Sequence, residues 1–114
     1  MKLSIENIGG EIAKEDSRYI VRDNKTLKNL VLSSTFLEAN KSTTGHAHVG
    51  QEEIYFFIKG KGEMELININ GKRTVEQIQD GDVVLIPDGH FHRVHNTGDY
   101  GLYFVCVFDG KRNH

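Results

Sequence analysis

The chain has a single cysteine, Cys106, among its 114 residues. No internal disulfide can form, so no covalent framework braces the fold and the redox compartment is left open. A basic run is also missing: 14 Lys and Arg stand against 16 Asp and Glu, for a formal net charge of −2. That balance argues against nucleic acid as a partner, which calls for a positive stripe or patch. No stretch approaches the roughly 18 apolar residues of a membrane helix. The opening Met1-Lys2-Leu3-Ser4-Ile5-Glu6 has no apolar signal-peptide core. These absences point to a cytoplasmic protein with no membrane partner. Pro/Ser-rich linkers, low-complexity segments and fixed-period repeats are absent too, and the length suits one domain, 1–114. Helical periodicity is poor, and Gly9 to Ser17 is the best candidate for a turn of helix.

What is present reads as β. Leu30 to Leu37 is rich in β-formers, and Glu38 to Gly45 is a polar, Gly-ended loop. Ile54-Tyr55-Phe56-Phe57-Ile58 is apolar at every position, which predicts a strand covered on both faces, in a core or at a subunit contact. Glu63 to Ile69 and Arg73 to Ile78 flank Asn70-Gly71, a strong hairpin signal. Turns at Asp80-Gly81-Asp82 and Pro87-Asp88-Gly89 bracket the buried run Val83 to Ile86. Gly101 to Phe108 is a last apolar strand, and Lys111 to His114 a solvated tail. Strands of this length with turns every 8–12 residues predict an all-β antiparallel sandwich or barrel. Residues 1–29 lack clear periodicity and suit an arm or edge strands, with the barrel over 30–108 and a tail over 109–114.

Five of the six histidines fall in two clusters: His46 and His48, then His90, His92 and His95. On a strand, His46 and His48 face one side about 7 Å apart. Glu53 has the opposite parity, so the chain must turn or bulge before it, and Gly50 is available. A carboxylate heading so apolar a strand is expensive to bury unless it is paired or bound to a cation. Its neighbour Glu52 competes for the same role. In the second cluster His90, His92, Val94 and Asn96 share one parity, while Phe91, Arg93 and His95 share the other.

The segment His46-x-His48-x4-Glu53-x6-Gly60 resembles the first cupin motif. Gly81-x5-Pro87-x-Gly89-x2-His92-x3-Asn96 resembles the second, and the 20 residues between Gly60 and Gly81 resemble the spacing of small microbial cupins. The glycine that opens the first motif falls at Asn40. The resemblance implies a double-stranded β-helix, or jelly-roll cupin barrel, with one divalent transition metal held by His46, His48, Glu53 and His92. Three imidazoles and one carboxylate suit Mn, Fe, Co, Ni or Zn, and an octahedral ion would keep two positions for water or substrate.

Tyr55, Phe57 and Met64 are candidates for a substrate pocket, weighed against simple core packing. His90 is another, weighed against solvent exposure at its turn. His95 and His114 suit the surface, Arg93 should point away from the metal, Asn96 should brace a turn, and Cys106 suits a buried small hydrophobe. Three activities fit: a sugar or sugar-phosphate isomerase or epimerase, an Fe- or Ni-dependent dioxygenase, and a non-enzymatic small-ligand-binding protein. The first uses pocket hydroxyls (Ser33, Ser34, Thr35, Ser42, Thr43 and Thr44 are available) and cations, with Lys59 and Lys61 of undecided facing. The doubly apolar strand and the likeness to small cupins suggest a homodimer.

Overall fold

A computed structural model describes residues 1–111, so Arg112–His114, including His114, lie outside the described residues. Nine strands follow one another: β1 (Glu11–Glu15), β2 (Tyr19–Asn24), β3 (Leu30–Leu37), β4 (Glu53–Lys59), β5 (Lys61–Ile67), β6 (Arg73–Gln79), β7 (Val83–Ile86), β8 (Phe91–Asn96) and β9 (Leu102–Asp109). They form a six-stranded sheet, in the order β1-β2-β3-β9-β4-β7, and a three-stranded sheet, β6-β5-β8. Every pairing is antiparallel. The fold is the all-β antiparallel barrel that the strand and turn pattern predicts, in the jelly-roll form that the cupin resemblance implies. No helix of the described residues is long and apolar enough to cross a membrane.

Alternation places the core between the sheets. Tyr55 and Phe57 of β4, Leu102, Phe104 and Cys106 of β9, Met64 of β5 and Val94 of β8 all point inward and pack in one cluster. The apolar run 54–58 is covered on its inner face only within the chain. Ile54 stays 37% exposed, and Phe56 and Ile58 are half-buried. Register explains why this matters: Leu32, Val107, Ile54 and Leu85 form one continuous apolar row across β3, β9, β4 and β7.

Gly9 to Ser17 is not helical. Its central residues form β1, an edge strand whose side chains are all exposed. Exposure leaves no apolar pattern to read, and the backbone bonds to β2 supply what an isolated helical turn would have to find locally. Gly9 and Gly10 have φ of 72° and 87°, incompatible with helix. A Cβ on Gly10 would lie 2.3 Å from the Asp23 carbonyl oxygen, so this strand also approaches β2 more closely than a side chain allows.

The turns follow their chemistry. Gly71 (φ 84°) closes the β5–β6 hairpin, where Asn68 Oδ1 accepts from the amides of Asn70 and Lys72 at 2.9 Å each. Asn40, which stands where the motif opens with glycine, has φ 61°. Asparagine is among the few side chains that enter the left-handed region readily, so the backbone shape survives the change of residue. Asn96, 3% exposed, does brace a turn: its Nδ2 donates to the carbonyls of Tyr100 (2.8 Å), Leu37 (3.0 Å) and Glu38 (3.2 Å).

Candidate metal centre

The loop after β3 is laid along β8 by backbone bonds, and this brings the two histidine clusters together. Asn96 N donates to Lys41 O, Thr43 N to Val94 O, and His46 N to His92 O, with His92 N returning to His46 O at 2.9 Å. The register slips by one residue at Thr44–Gly45. There the Phe91 ring lies so close that a Cβ on Gly45 would meet its Cζ at 2.0 Å. Past His48 the chain reverses at Gly50 (φ 81°), whose amide donates to Asp88 Oδ1 at 2.6 Å. That reversal changes the parity and delivers Glu53 inward, 3% exposed, while Glu52 faces solvent.

One ligand atom from each of His46, Glu53 and His92 falls within 4.8 Å of the others. His92 Nδ1 donates to the His90 carbonyl oxygen at 3.1 Å, which puts the lone pair on Nε2. Nε2 lies 3.1 Å from Glu53 Oε2 without hydrogen-bond alignment. Two electron-rich atoms this close, both almost wholly buried, call for a proton or a cation between them. The donor set, two imidazoles and a carboxylate converging at one point, fits a divalent transition metal. His48 is adjacent, its ring centroid 4.7 Å from that of His46 and 6.4 Å from that of His92, but it stands outside the tight triplet.

The triplet opens on a cavity of about 60 Å³ between the sheets. Ser33, Thr35, Tyr55, Phe104 and Cys106 line its six-stranded wall, and Lys14, Tyr19, Val21, Thr43 and Thr44 complete it. The Tyr19 hydroxyl lies 3.4 Å from Thr44 Oγ1, and Lys14 Nζ sits 5.4 Å from the Tyr19 ring centroid. Burial pulls the Tyr19 phenol up, but bonding to Lys14 and Thr44 outweighs it, and its pKa falls below the ordinary tyrosine value. The cation of this pocket is therefore Lys14, and Lys59 and Lys61 are not among its walls. Lys14, Tyr19 and Val21 could not be picked from the sequence, because β1 is wholly exposed and the 1–29 region shows no period. The inward alternation of Tyr19, Val21 and Asp23 was the one available signal.

Of the pocket candidates, Tyr55 lines the cavity, its ring centroid 5.7 Å from that of His92. Phe57 and Met64 are buried in the core behind it, and His90 lies outside the cavity, its Nδ1 3.3 Å from the Asp88 carbonyl oxygen. Cys106 is a buried core residue that also touches the cavity. Arg93 points away from the triplet, to Glu65 at 3.0 Å. His95 is not a plain surface residue: Nε2 lies 2.9 Å from Glu65 Oε1 and Nδ1 2.6 Å from Ser42 Oγ. Sequence parity showed its side but not the buried carboxylate waiting there. Bonding from Arg73, and then from His95 and Arg93, holds the Glu65 carboxyl down at about 2.

A barrel of two antiparallel sheets with histidines and a glutamate converging between them defines the cupin class of fold. The cupin domain family model matches residues 35–108, and the chain belongs to that family. It is 34% identical over 74 residues to a glucose-6-phosphate isomerase of Thermococcus litoralis, covering 63% of this chain and 39% of that one. With the glucose-6-phosphate isomerase of Thermococcus kodakarensis it shares 30% identity over 121 residues, 96% of this chain and 64% of the other. Among solved structures, Bacillus subtilis oxalate decarboxylase superposes with a TM-score of 0.78 at 26% identity, over 86% of this chain and 27% of that one. The chain thus spans from about a quarter to two thirds of the length of these relatives.

Proposed function

We propose that the protein is a metal-dependent enzyme with isomerase- or epimerase-like chemistry on a small phosphorylated sugar. The observation that carries this reading is the make-up of one cavity: a convergent His46–Glu53–His92 triplet, a single ammonium at Lys14, and hydroxyls from Ser33, Thr35, Thr43 and Thr44. In this reading His46, Glu53 and His92 hold one divalent ion, with His48 as the fourth ligand. When bound, the ion supplies a Lewis acid for a substrate carbonyl or ene-diolate oxygen. Lys14 and Thr44 bind the anionic group, Tyr19 with its lowered phenol pKa holds or passes a proton, and Tyr55 and Phe104 exclude water. The identity to glucose-6-phosphate isomerases supports the sugar-phosphate class, and Mn(II) centres in the structurally similar oxalate decarboxylase make manganese the first ion to load.

The test is incubation of the Mn-loaded protein with aldose and ketose phosphates in D2O, followed by proton NMR. Loss of the signal α to the carbonyl together with conversion of one isomer into the other is the expected result. Oxygen uptake with thiols or diketones, and no exchange, would instead favour the dioxygenase reading. Binding without either would favour a ligand-binding protein.

We further infer a homodimer through the apolar row Leu32, Val107, Ile54 and Leu85, because this open face of the six-stranded sheet matches a second copy of itself in chemistry. The barrel interior needs no such cover. Light scattering at micromolar concentration should give twice the chain mass, and Leu85→Glu, which sets a charge in the row, should give the monomer.

A further inference from the structure

A second cluster of reactive side chains stands on the outer face of the small sheet. Alternation along β8 turns His92 inward and His95, of opposite parity, outward. The sheet itself therefore separates His95 from the metal centre. On that outer face His95 Nε2 lies 2.9 Å from Glu65 Oε1, and His95 Nδ1 lies 2.6 Å from Ser42 Oγ. Arg73 Nε and Arg93 Nη2 reach the same carboxylate at 2.7 and 3.0 Å, so Glu65 stays ionised and can only accept. His95 Nε2 then carries the hydrogen, and the Nδ1 lone pair accepts from the Ser42 hydroxyl. A hydroxyl bonded to an imidazole whose far side is held by a carboxylate is the arrangement that activates serine as a nucleophile.

Holding the loop does not require this bond. The residues on either side of Ser42 are already pinned to β8, through Asn96 N to Lys41 O and Thr43 N to Val94 O, both 2.9 Å. Ser42 and His95 face each other as an isolated pair between those bonds. In such a pair the main-chain groups of Ser42 point away from β8. Its carbonyl oxygen accepts from Arg18 Nη1 at 3.3 Å, a nitrogen with two hydrogens of which this bond uses one. The Ser42 amide, on the same side, bonds no described residue. An amide and a guanidinium on one side of the nucleophile are the donors that a developing oxyanion needs. The site is also within reach of solvent: Ser42 is half-buried, and the His95 side chain is 23% exposed.

We propose that Ser42 and His95 form a second active site that hydrolyses small carboxylic esters, with Glu65 as the positioning residue that holds the imidazole. Ser42 Oγ attacks the ester carbon while its proton passes to His95 Nδ1. The carbon–oxygen bond to the alcohol breaks as that proton moves to the leaving oxygen, and the acyl group stays on Oγ. Water then attacks the acyl carbon and gives a proton to Nδ1. Oγ leaves as it takes that proton back, and the carboxylic acid is released.

The probe is 4-nitrophenyl acetate, followed by nitrophenol release and by peptide mass mapping after an acid quench. It is applied to the wild type, Ser42→Ala, Ser42→Cys and His95→Gln, each with and without chelator. The wild type should carry an acetyl group on Ser42, and Ser42→Ala and His95→Gln should each release nitrophenol about a hundredfold more slowly. In Ser42→Cys the acetyl group should appear on the thiol, which shows that the substituted loop still folds against β8. Acetylation of lysines alone overturns the proposal, as does a loss of less than about tenfold in either Ser42→Ala or His95→Gln. Disappearance of the activity on chelation places the hydrolysis at the metal centre and overturns it too. An unchanged rate with chelator keeps the two sites distinct, whatever the fate of the sugar-phosphate reading.

Discussion

Replacing His92 with alanine is expected to reduce the divalent metal in protein purified without an affinity tag from about one ion per chain to background. His92 is the residue on which the triplet turns. It comes from the strand at the edge of the small sheet, its Nδ1 is occupied by the His90 carbonyl oxygen, and its Nε2 sits 3.1 Å from Glu53 Oε2. Without it, His46 and Glu53 lose the third donor that makes the site convergent. Chelation of the wild type should lower the melting temperature, because an ion bound only by the folded state adds stability by mass action. At a hundredfold excess over its dissociation constant the gain is about 2.7 kcal/mol, or roughly 10 °C for a chain of this size. His92→Ala should melt at the same temperature with and without chelator. Glu52→Ala is the control, since its side chain faces solvent, and it should keep both the ion and the chelator response. Full metal retention in His92→Ala, measured by elemental analysis, would remove the site. His48→Ala separates a four-residue site from a three-residue one, since its ring lies beside the triplet and not in it.

Asn96→Ala should cost about 3 kcal/mol, read as a fall of roughly 12 °C in the unfolding midpoint. Its amide group serves the Leu37, Glu38 and Tyr100 carbonyls, and its Oδ1 accepts from Gly98 N at 2.9 Å. The bonds to the Leu37 carbonyl and from the Gly98 amide are buried and the other two are part-buried, and a buried acceptor that loses its donor is not rescued by water. Asn96→Asp keeps the shape and the Oδ1 acceptor but loses the donor, so it should be nearly as unstable, which assigns the effect to Nδ2. The damage should reach the metal centre as well. Leu37 and Glu38 open the loop that runs along β8 to His46, and Asn96 N itself anchors that loop at Lys41. A lower metal content in Asn96→Ala at a temperature where it is still folded is the expected sign. Unchanged melting in both variants would show that the three carbonyls have other partners.

Much of the barrel could be read from the chain because its strands are two-faced. Leu30–Leu37 and Val83–Ile86 have the bounds that their composition suggested, and a hairpin forms at Asn70-Gly71, though through a loop over 68–72 with Gly71 and not Asn70 at positive φ. The choice of Glu53 over Glu52 rests on the motif spacing to Gly60, and its odd parity then requires the reversal that Gly50 makes. β1 escaped because an exposed edge strand carries no period, and the close approach of Gly10 to β2 leaves no local signal. Lys14 and Tyr19 escaped with it, and the cavity owes them its ammonium and phenol.

Spacing therefore determined the family, the strands and the residues able to ligate an ion, since each of these is a property of neighbours along the chain. The tertiary structure decided which groups share the cavity. Ser33 joins it and Ser34 does not, because pleating sends successive side chains to opposite faces and only one face meets the second sheet. Lys14 reaches the mouth only because β1 pairs with β2 across Val21. Arg93 and His95 are drawn to Glu65, a carboxylate thirty residues from His95 in sequence, by cross-strand pairing that no local pattern encodes. Contacts between residues far apart in sequence depend on sheet order and register, and these are set by how the whole chain buries its apolar faces.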